Sequence, residues 1–193
     1  PRVRPAILGV NHYVTSERFL DDDVTRYPAR FHGGNGVSCY ADVEAVRVLR
    51  RGTLGLEALL EQASARYQLP MAVTEVHLSC TREQQMLWLD EAWTTAHRLR
   101  GRGHDVRSVT AWALFGAFDW RSLLVKEEMD YECGAFDLRA PAPRSTALVP
   151  MIKALATVGR FEHPVLKGHA WWRGPQRLLY PPRDCVTEHR SVA

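Results

Sequence analysis

No apolar run in this 193-residue sequence approaches the roughly 18 residues that a membrane-spanning helix needs, so no membrane partner is expected. No signal-peptide pattern opens it. The first residue is Pro1 rather than Met, which reads as a processed or truncated start. The four cysteines, Cys39, Cys80, Cys133 and Cys185, are widely spaced and form no Cys-x-x-Cys pair. That argues against a zinc framework or a disulfide-dense miniprotein and leaves scattered reduced thiols, as in a cytoplasmic protein. Lys and Arg number 25 against 22 Asp and Glu, a net charge of +3, with no long basic block. Nucleic acid is therefore not an expected partner.

Cofactor signatures are missing too. The eight histidines show no His-Glu-x-x-His or other metal spacing, and no Gly-x-Gly-x-x-Gly occurs. The stretch His32-Gly33-Gly34-Asn35-Gly36 lacks the Lys-Ser/Thr of a phosphate loop and the strand-before, helix-after context such a loop requires. It reads as a rim loop, and neither a metal nor a cofactor is expected. No internal repeat with a period of roughly 20–50 residues is visible. What remains is 46% hydrophobic and 24% charged, an ordinary globular composition with material for a sizeable core.

Apolar runs alternate with helical periodicity. Ala6 to Val10 is continuous and apolar and breaks abruptly into Asn11-His12-Tyr13, as a buried parallel strand does at its carboxyl end. Asp21 to Gly36 is rich in acids and glycine and reads as a long loop, with Asp21-Asp22-Asp23 as a solvated face. Leu54 to Tyr67 places Leu56, Leu59, Leu60, Ala63 and Tyr67 on one helical face and stops before Leu69-Pro70. Met71 to Thr74 is a second strand ending on Glu75. Thr81 and Gln84 form a capping box for a helix to about Arg100 that buries Met86, Leu89, Trp93 and Ala96. Val106 to Phe115 is a third strand, broken by Gly116. Ser145 caps a last helix with Leu148, Ile152 and Leu155 inward, and residues from His163 onward read as a wrapping tail or linker.

Strands separated by crossover helices predict a parallel α/β sheet, whose ligands bind at the carboxyl ends of the strands. Glu75 at such an end is a candidate nucleophile or general base, held by donors from Asn11 and Tyr13. Position alone equally fits a strand-end glutamate reaching solvent or an arginine. Trp112 alone reads as a core aromatic. The Phe118-Asp119-Trp120 cluster past a glycine-broken strand fits a carbohydrate site, where aromatic faces stack on sugars beside hydrogen-bonding carboxylates. His77 lies close enough to Glu75 in sequence to line the same pocket.

These residues resemble a known family. Leu8-Gly9-Val10-Asn11-His12-Tyr13-Val14-Thr15-Ser16 resembles the G-(I/L)-N-Y-Y-T-S segment of glycoside hydrolase family 1, the β-glucosidase group. Ala72-Val73-Thr74-Glu75 is similar to that family's I-T-E-N-G segment, and Ala111 through Trp120 to its W-S-L-L-D-N-F-E-W segment. Cys133-Gly134-Ala135-Phe136-Asp137 resembles the stretch that follows. The segments keep the family's order and span residues 5 to 158.

The resemblance implies a partial (β/α)8 TIM barrel, strands six to eight with their helices. Residues 1–160 would be the C-terminal part of the barrel and 161–193 an extended tail or linker. A complete barrel takes about 250 residues, more than this sequence has. Glu75 would be the nucleophile of a retaining β-glycosidase and Tyr13 would orient it. Asn11 and His12 would line the sugar subsite, Trp112 would be a platform, and Asp119 and Trp120 would grip hydroxyls. Val76-His77 stands where the family has Asn-Gly, and Asp119 where it has Glu; both changes bear on sugar specificity. The pattern also resembles bacterial modules in which such a domain precedes a dTDP-4-dehydrorhamnose-reductase-like domain. Besides a carbohydrate substrate, the implied partners are the missing N-terminal barrel half or that fused nucleotide-sugar reductase domain.

One half of the chemistry is missing. Retaining glycosidases need two carboxylates about 5–5.5 Å apart. In the family the acid/base is the glutamate of an Asn-Glu-Pro segment. The two asparagines here, Asn11 and Asn35, are followed by His12 and Gly36, so this sequence lacks that residue. A non-catalytic carbohydrate or nucleotide-sugar binding module is the alternative reading.

Overall fold

The computed structural model describes residues 5–122 and 125–184, which form two units. The first runs up to Tyr13 and resumes over Leu56–Ala170; the second comprises Val14–Gly55 and the chain from Trp171 on.

The first unit is built on three parallel strands in the order β1 (Leu8–Asn11), β5 (Met71–Val76), β6 (Val106–Ala111). Between them run α1 (Gly55–Tyr67) and α2 (Arg82–Gly101). The central strand is the most apolar: Met71, Ala72, Val73 and Val76 are all buried, as befits a parallel strand covered on both faces. Register places Asn11 beside Glu75 and Val76 beside Ala111, so the strands end together. From α1, Leu56 and Leu60 are buried. From α2, Met86, Leu89, Ala92, Ala96 and Leu99 follow the three-to-four spacing of a core-facing stripe. The last helix, α3 (Leu148–Val158), buries Leu148, Met151 and Leu155 and ends on Gly159, which takes the left-handed conformation (φ +82°) common just past a helix.

Several local expectations are corrected. Tyr67 is 51% exposed rather than on the core face, because α1 ends there and Gln68 turns left-handed (φ +51°). Trp93 is only half-buried, its indole N–H donating to the Gly159 carbonyl at 2.9 Å. Thr81 is the N-cap of α2, but its side chain makes no capping bond, and Gln84 donates to the His169 carbonyl. Ser145 does not cap α3; it lies in β10 (Arg144–Ser145), and the Thr146 hydroxyl accepts from the Leu148 amide.

The third strand stops at Ala111, four residues short of expectation. Beyond it the Trp112–Ala113 peptide is cis, and the carbonyls of Ala113 and Leu114 accept from Ala135 and Phe136. The apolar run continues but its backbone bonds go to a different partner. Here β7 (Ala117–Phe118) pairs with β8 (Tyr131–Glu132), and β9 (Phe136–Asp137) pairs with β10. A side chain on Gly134 would put its Cβ 2.2 Å from the Ala113 carbonyl oxygen, so this approach demands glycine.

The second unit holds an antiparallel sheet, ordered β2 (Arg18–Asp21), β4 (Cys39–Glu44), β3 (His32–Gly34). The expected loop Asp21–Gly36 thus contains a strand and two 3-10 turns. Its hairpin is closed by Asn35, whose Oδ1 accepts from the Val37 and Ser38 amides at 3.0 and 2.8 Å. Asp21 is not on a solvated face. It is 1% exposed and accepts from the Tyr27 hydroxyl (2.7 Å), the Asp23 amide (3.1 Å) and the Arg183 guanidinium (2.7 Å).

Tyr27, Ala41, Val43, Ala45, Val48 and Leu49 form this unit's core. Residues 171–184 are built into it: the Arg177 guanidinium is buried and donates to the carbonyls of Val46, Leu49 and Arg50, each at 2.8 Å. Cys185 and the remainder of the expected tail lie outside the described residues.

Candidate functional site

The carboxyl ends of the three parallel strands bring most of the expected residues together. β1 ends on Asn11, with His12 and Tyr13 after it; β5 carries Thr74 and Glu75 and leads into His77; Trp112 follows β6, tied by its amide to the Val76 carbonyl at 3.0 Å. A parallel sheet delivers its strand ends to one edge, so residues far apart in sequence share a neighbourhood.

At its centre the Tyr13 hydroxyl donates to Oε2 of half-buried Glu75. Burial, that hydrogen bond, the Glu75 charge and then the Glu132 charge push the Tyr13 phenol above the ordinary tyrosine range. Tyr13 therefore remains a protonated donor at any physiological pH and holds one carboxylate oxygen of Glu75 in place. Beside it, the Thr74 hydroxyl donates to the Asn11 amide oxygen.

An aromatic wall stands at the β6 end. The Trp112 and Trp120 rings are 4.9 Å apart and tilted by 45°, both half-buried. His77 meets Trp112 edge-on at 5.3 Å. Its Nε2 lies 2.7 Å from Oε2 of Glu132, both side chains almost wholly buried.

Two expected residues are placed differently. His12 is 4% exposed, with its ring 6.0 Å from that of Trp88. Asp119, 9% exposed with φ +52°, accepts from the Asp130 amide through Oδ1 at 2.9 Å, closing the β7–β8 connection. Sequence reasoning missed Glu132, Thr74 and Trp88. Glu132 lies 55 residues from His77, and no spacing rule links the two.

Next to the His77–Glu132 pair is an open polar pocket of about 380 Å³, lined by residues including Ser79, Cys80, Arg82, Tyr131, Glu132 and Arg139. At its edge Asp137 accepts from Arg139 and Arg144, and their guanidinium groups hold its carboxyl far below the usual carboxylate range. Among the described residues no group of three or more His, Cys, Asp or Glu could hold a metal ion.

No sequence family and no curated protein matches the chain. Solved structures do. The β-glycosidase from Pyrococcus horikoshii is similar over 92% of this chain, with a TM-score of 0.62 at 18% identity. The fold is that of part of a β-glycosidase (β/α)8 barrel. A β-glucosidase from Thermotoga maritima in complex with noeuromycin is similar over 82% of this chain (TM-score 0.57, 13% identity). A family 1 β-glucosidase from the same organism is similar over 83% (TM-score 0.56, 14% identity). The chain spans 40% of the Pyrococcus protein and 36% of each Thermotoga protein. Three adjacent parallel strands with their helices are thus a glycosidase-like α/β architecture without a closed barrel. Among the described residues no helix is long and apolar enough to cross a membrane.

Proposed function

We propose that this chain is a family 1-like, retaining β-glycosidase-type domain that carries the nucleophile, Glu75, and not the acid/base carboxylate. The observation that carries the reading is the Tyr13–Glu75 hydrogen bond at the strand-end edge of a glycosidase-like sheet. A nucleophilic carboxylate must present one oxygen to the anomeric carbon while the other is fixed, and a neutral phenol does this without adding charge. Asn11 and the Trp112–Trp120 wall, at the ends of the strands on either side of Glu75, are the proposed sugar-binding elements; His77 packs edge-on against Trp112, and His12 and Asp119 are buried.

The partner carboxylate is the missing piece. Glu132 is engaged by His77 and Asp119 by the Asp130 amide. Hydrolysis of an unactivated glycoside would need an acid/base from elsewhere, and the preceding half of a barrel is the proposed source. The attack itself needs only Glu75 when the leaving group is already good.

A 2-fluoroglycoside with an activated leaving group tests this directly. The intact protein should gain one sugar mass, mapped by peptide mass spectrometry to Glu75 and lost in Glu75→Gln. An unlabelled Glu75, in the chain and in any longer parent, sinks the nucleophile assignment. The missing acid/base favours a second reading, a non-catalytic carbohydrate or nucleotide-sugar module attached to a dTDP-rhamnose pathway enzyme. Calorimetric binding of a nucleotide sugar without any labelling would select it.

A further inference from the structure

We infer that Glu132 is a positioning residue of this site, acting through His77 to set the ring of Trp112 and with it the Trp112–Trp120 wall. The assignment rests on the proposed glycosidase reading only for what the wall binds; how the wall is built is a matter of geometry.

Glu132 sits on β8, opposite Ala117 of β7. Its own carbonyl oxygen occupies the space a Cβ on Gly116 would need, 2.3 Å away, so its backbone is held against a residue that must be glycine. From this fixed backbone its carboxylate reaches His77 at 2.7 Å, with both side chains 5–6% exposed. A carboxylate only accepts, so the imidazole proton lies on Nε2 and the ring cannot rotate without losing its partner. The imidazole presents itself edge-on to Trp112 (5.3 Å between centroids, 75° between planes), and Trp112 in turn tilts against Trp120 at 4.9 Å. Carboxylate, imidazole and two indoles thus form one connected series, each fixing the next.

Burial separates this role from direct catalysis. The Glu132 side chain is 6% exposed and its Oε2 is already bonded to His77, so its influence passes through the imidazole. Hydrogen-bonded partners of this kind orient the groups that meet a ligand. The same charge also reaches Tyr13, reinforcing the proton that bonds Glu75.

Two spectroscopic signatures test the inference on the full 193-residue chain. Long-range ¹H–¹⁵N correlation of the histidine rings, with His77 assigned by its loss in His77→Gln, should show a protonated Nε2. A bare Nε2 overturns the proposal and needs no Glu132 variant that must fold. The Trp112–Trp120 pair should give an exciton couplet in circular dichroism, identified by its loss in Trp112→Phe. Glu132→Leu, which keeps volume but cannot accept, should abolish the couplet; Glu132→Gln, whose amide oxygen still accepts from Nε2, should retain it. A wild-type couplet in Glu132→Leu overturns the proposal, as does its loss in Glu132→Gln with helical bands intact. A protein that shows both signatures but takes no sugar label supports this inference while sinking the glycosidase reading.

Discussion

The hydroxyl of Tyr13 donates to Oε2 of Glu75 across 62 residues of sequence, joining the end of one parallel strand to the end of its neighbour. The contact follows from register: Asn11 lies beside Glu75, and Tyr13 continues past the strand end toward the carboxylate. Replacing Tyr13 by Phe keeps the ring and removes only the donor. A hydrogen bond to a charged group contributes about 1.5–3 kcal/mol, so labelling of Glu75 by the 2-fluoroglycoside should slow about 10- to 100-fold. Time-resolved mass spectrometry reads the rate, and an unchanged rate would show that Tyr13 does not position the nucleophile.

The Asp21–Tyr27–Arg183 cluster predicts a pH-dependent stability with two edges. Burial pushes the Asp21 carboxyl up, but bonds from Tyr27, the Asp23 amide and Arg183 outweigh it and hold the group below the usual carboxylate range. Its stabilisation is therefore complete above the unfolded carboxylate value, near about pH 4, and is lost as pH falls through the folded value. Tyr27 is pushed up to about 12 by burial and by the Asp21 hydrogen bond and charge. Its contribution is present below the unfolded tyrosine value, about 10, and fades as pH rises through the folded one. Urea unfolding across pH should show both edges in the wild type and flattened edges in Asp21→Asn.

Arg177 donates to three backbone carbonyls, those of Val46, Leu49 and Arg50, from one planar guanidinium. Arg177→Met removes the donor from the Val46 and Arg50 carbonyls, leaves Leu49 only its bond from the Gly52 amide, and should destabilise the protein by about 3 kcal/mol. Arg177→Lys, with a single ammonium in place of the fork, should recover less than half of that in the same denaturant titration. Full recovery by Lys would mean that charge rather than fork geometry matters.

Two glycines make an internal comparison. Gly134→Ala drives a methyl into the Ala113 carbonyl at 2.2 Å and the Gly116 amide at 2.3 Å, both backbone atoms that cannot step aside. A loss of about 3 kcal/mol or more is expected. Gly101→Ala, at the end of α2 with nothing within 4 Å of the new methyl, should be neutral or stabilising by up to about 1 kcal/mol. Thermal unfolding of the two variants checks the contrast, and equal melting temperatures would contradict it.

The legible parts of the fold are those where one physical signal dominates. Met71 to Val73 reads as a buried strand because an unbroken apolar run can be covered on both faces; that the strand runs on through Glu75 to Val76 was not legible, because Thr74 and Glu75 break the apolar run. The stripe Met86, Leu89, Ala96 reads as a helix face because its spacing matches the helical period. β3 was hidden because all three of its residues, His32, Gly33 and Gly34, are exposed, so no alternation marks it. The end of the third strand was hidden because Trp112 through Phe115 remain apolar after their backbone has changed partners.

The sequence by itself determined the parallel strands, the helices between them and the polar and aromatic residues at the strand ends, since hydrophobic periodicity and strand-end polar residues are local properties. It also shows that neither asparagine is followed by a glutamate. Only the tertiary structure decided which side chains meet: Tyr13 with Glu75, His77 with Glu132, Arg177 with three carbonyls. Such pairings depend on register and chain reversal, which bring together residues that no local spacing connects.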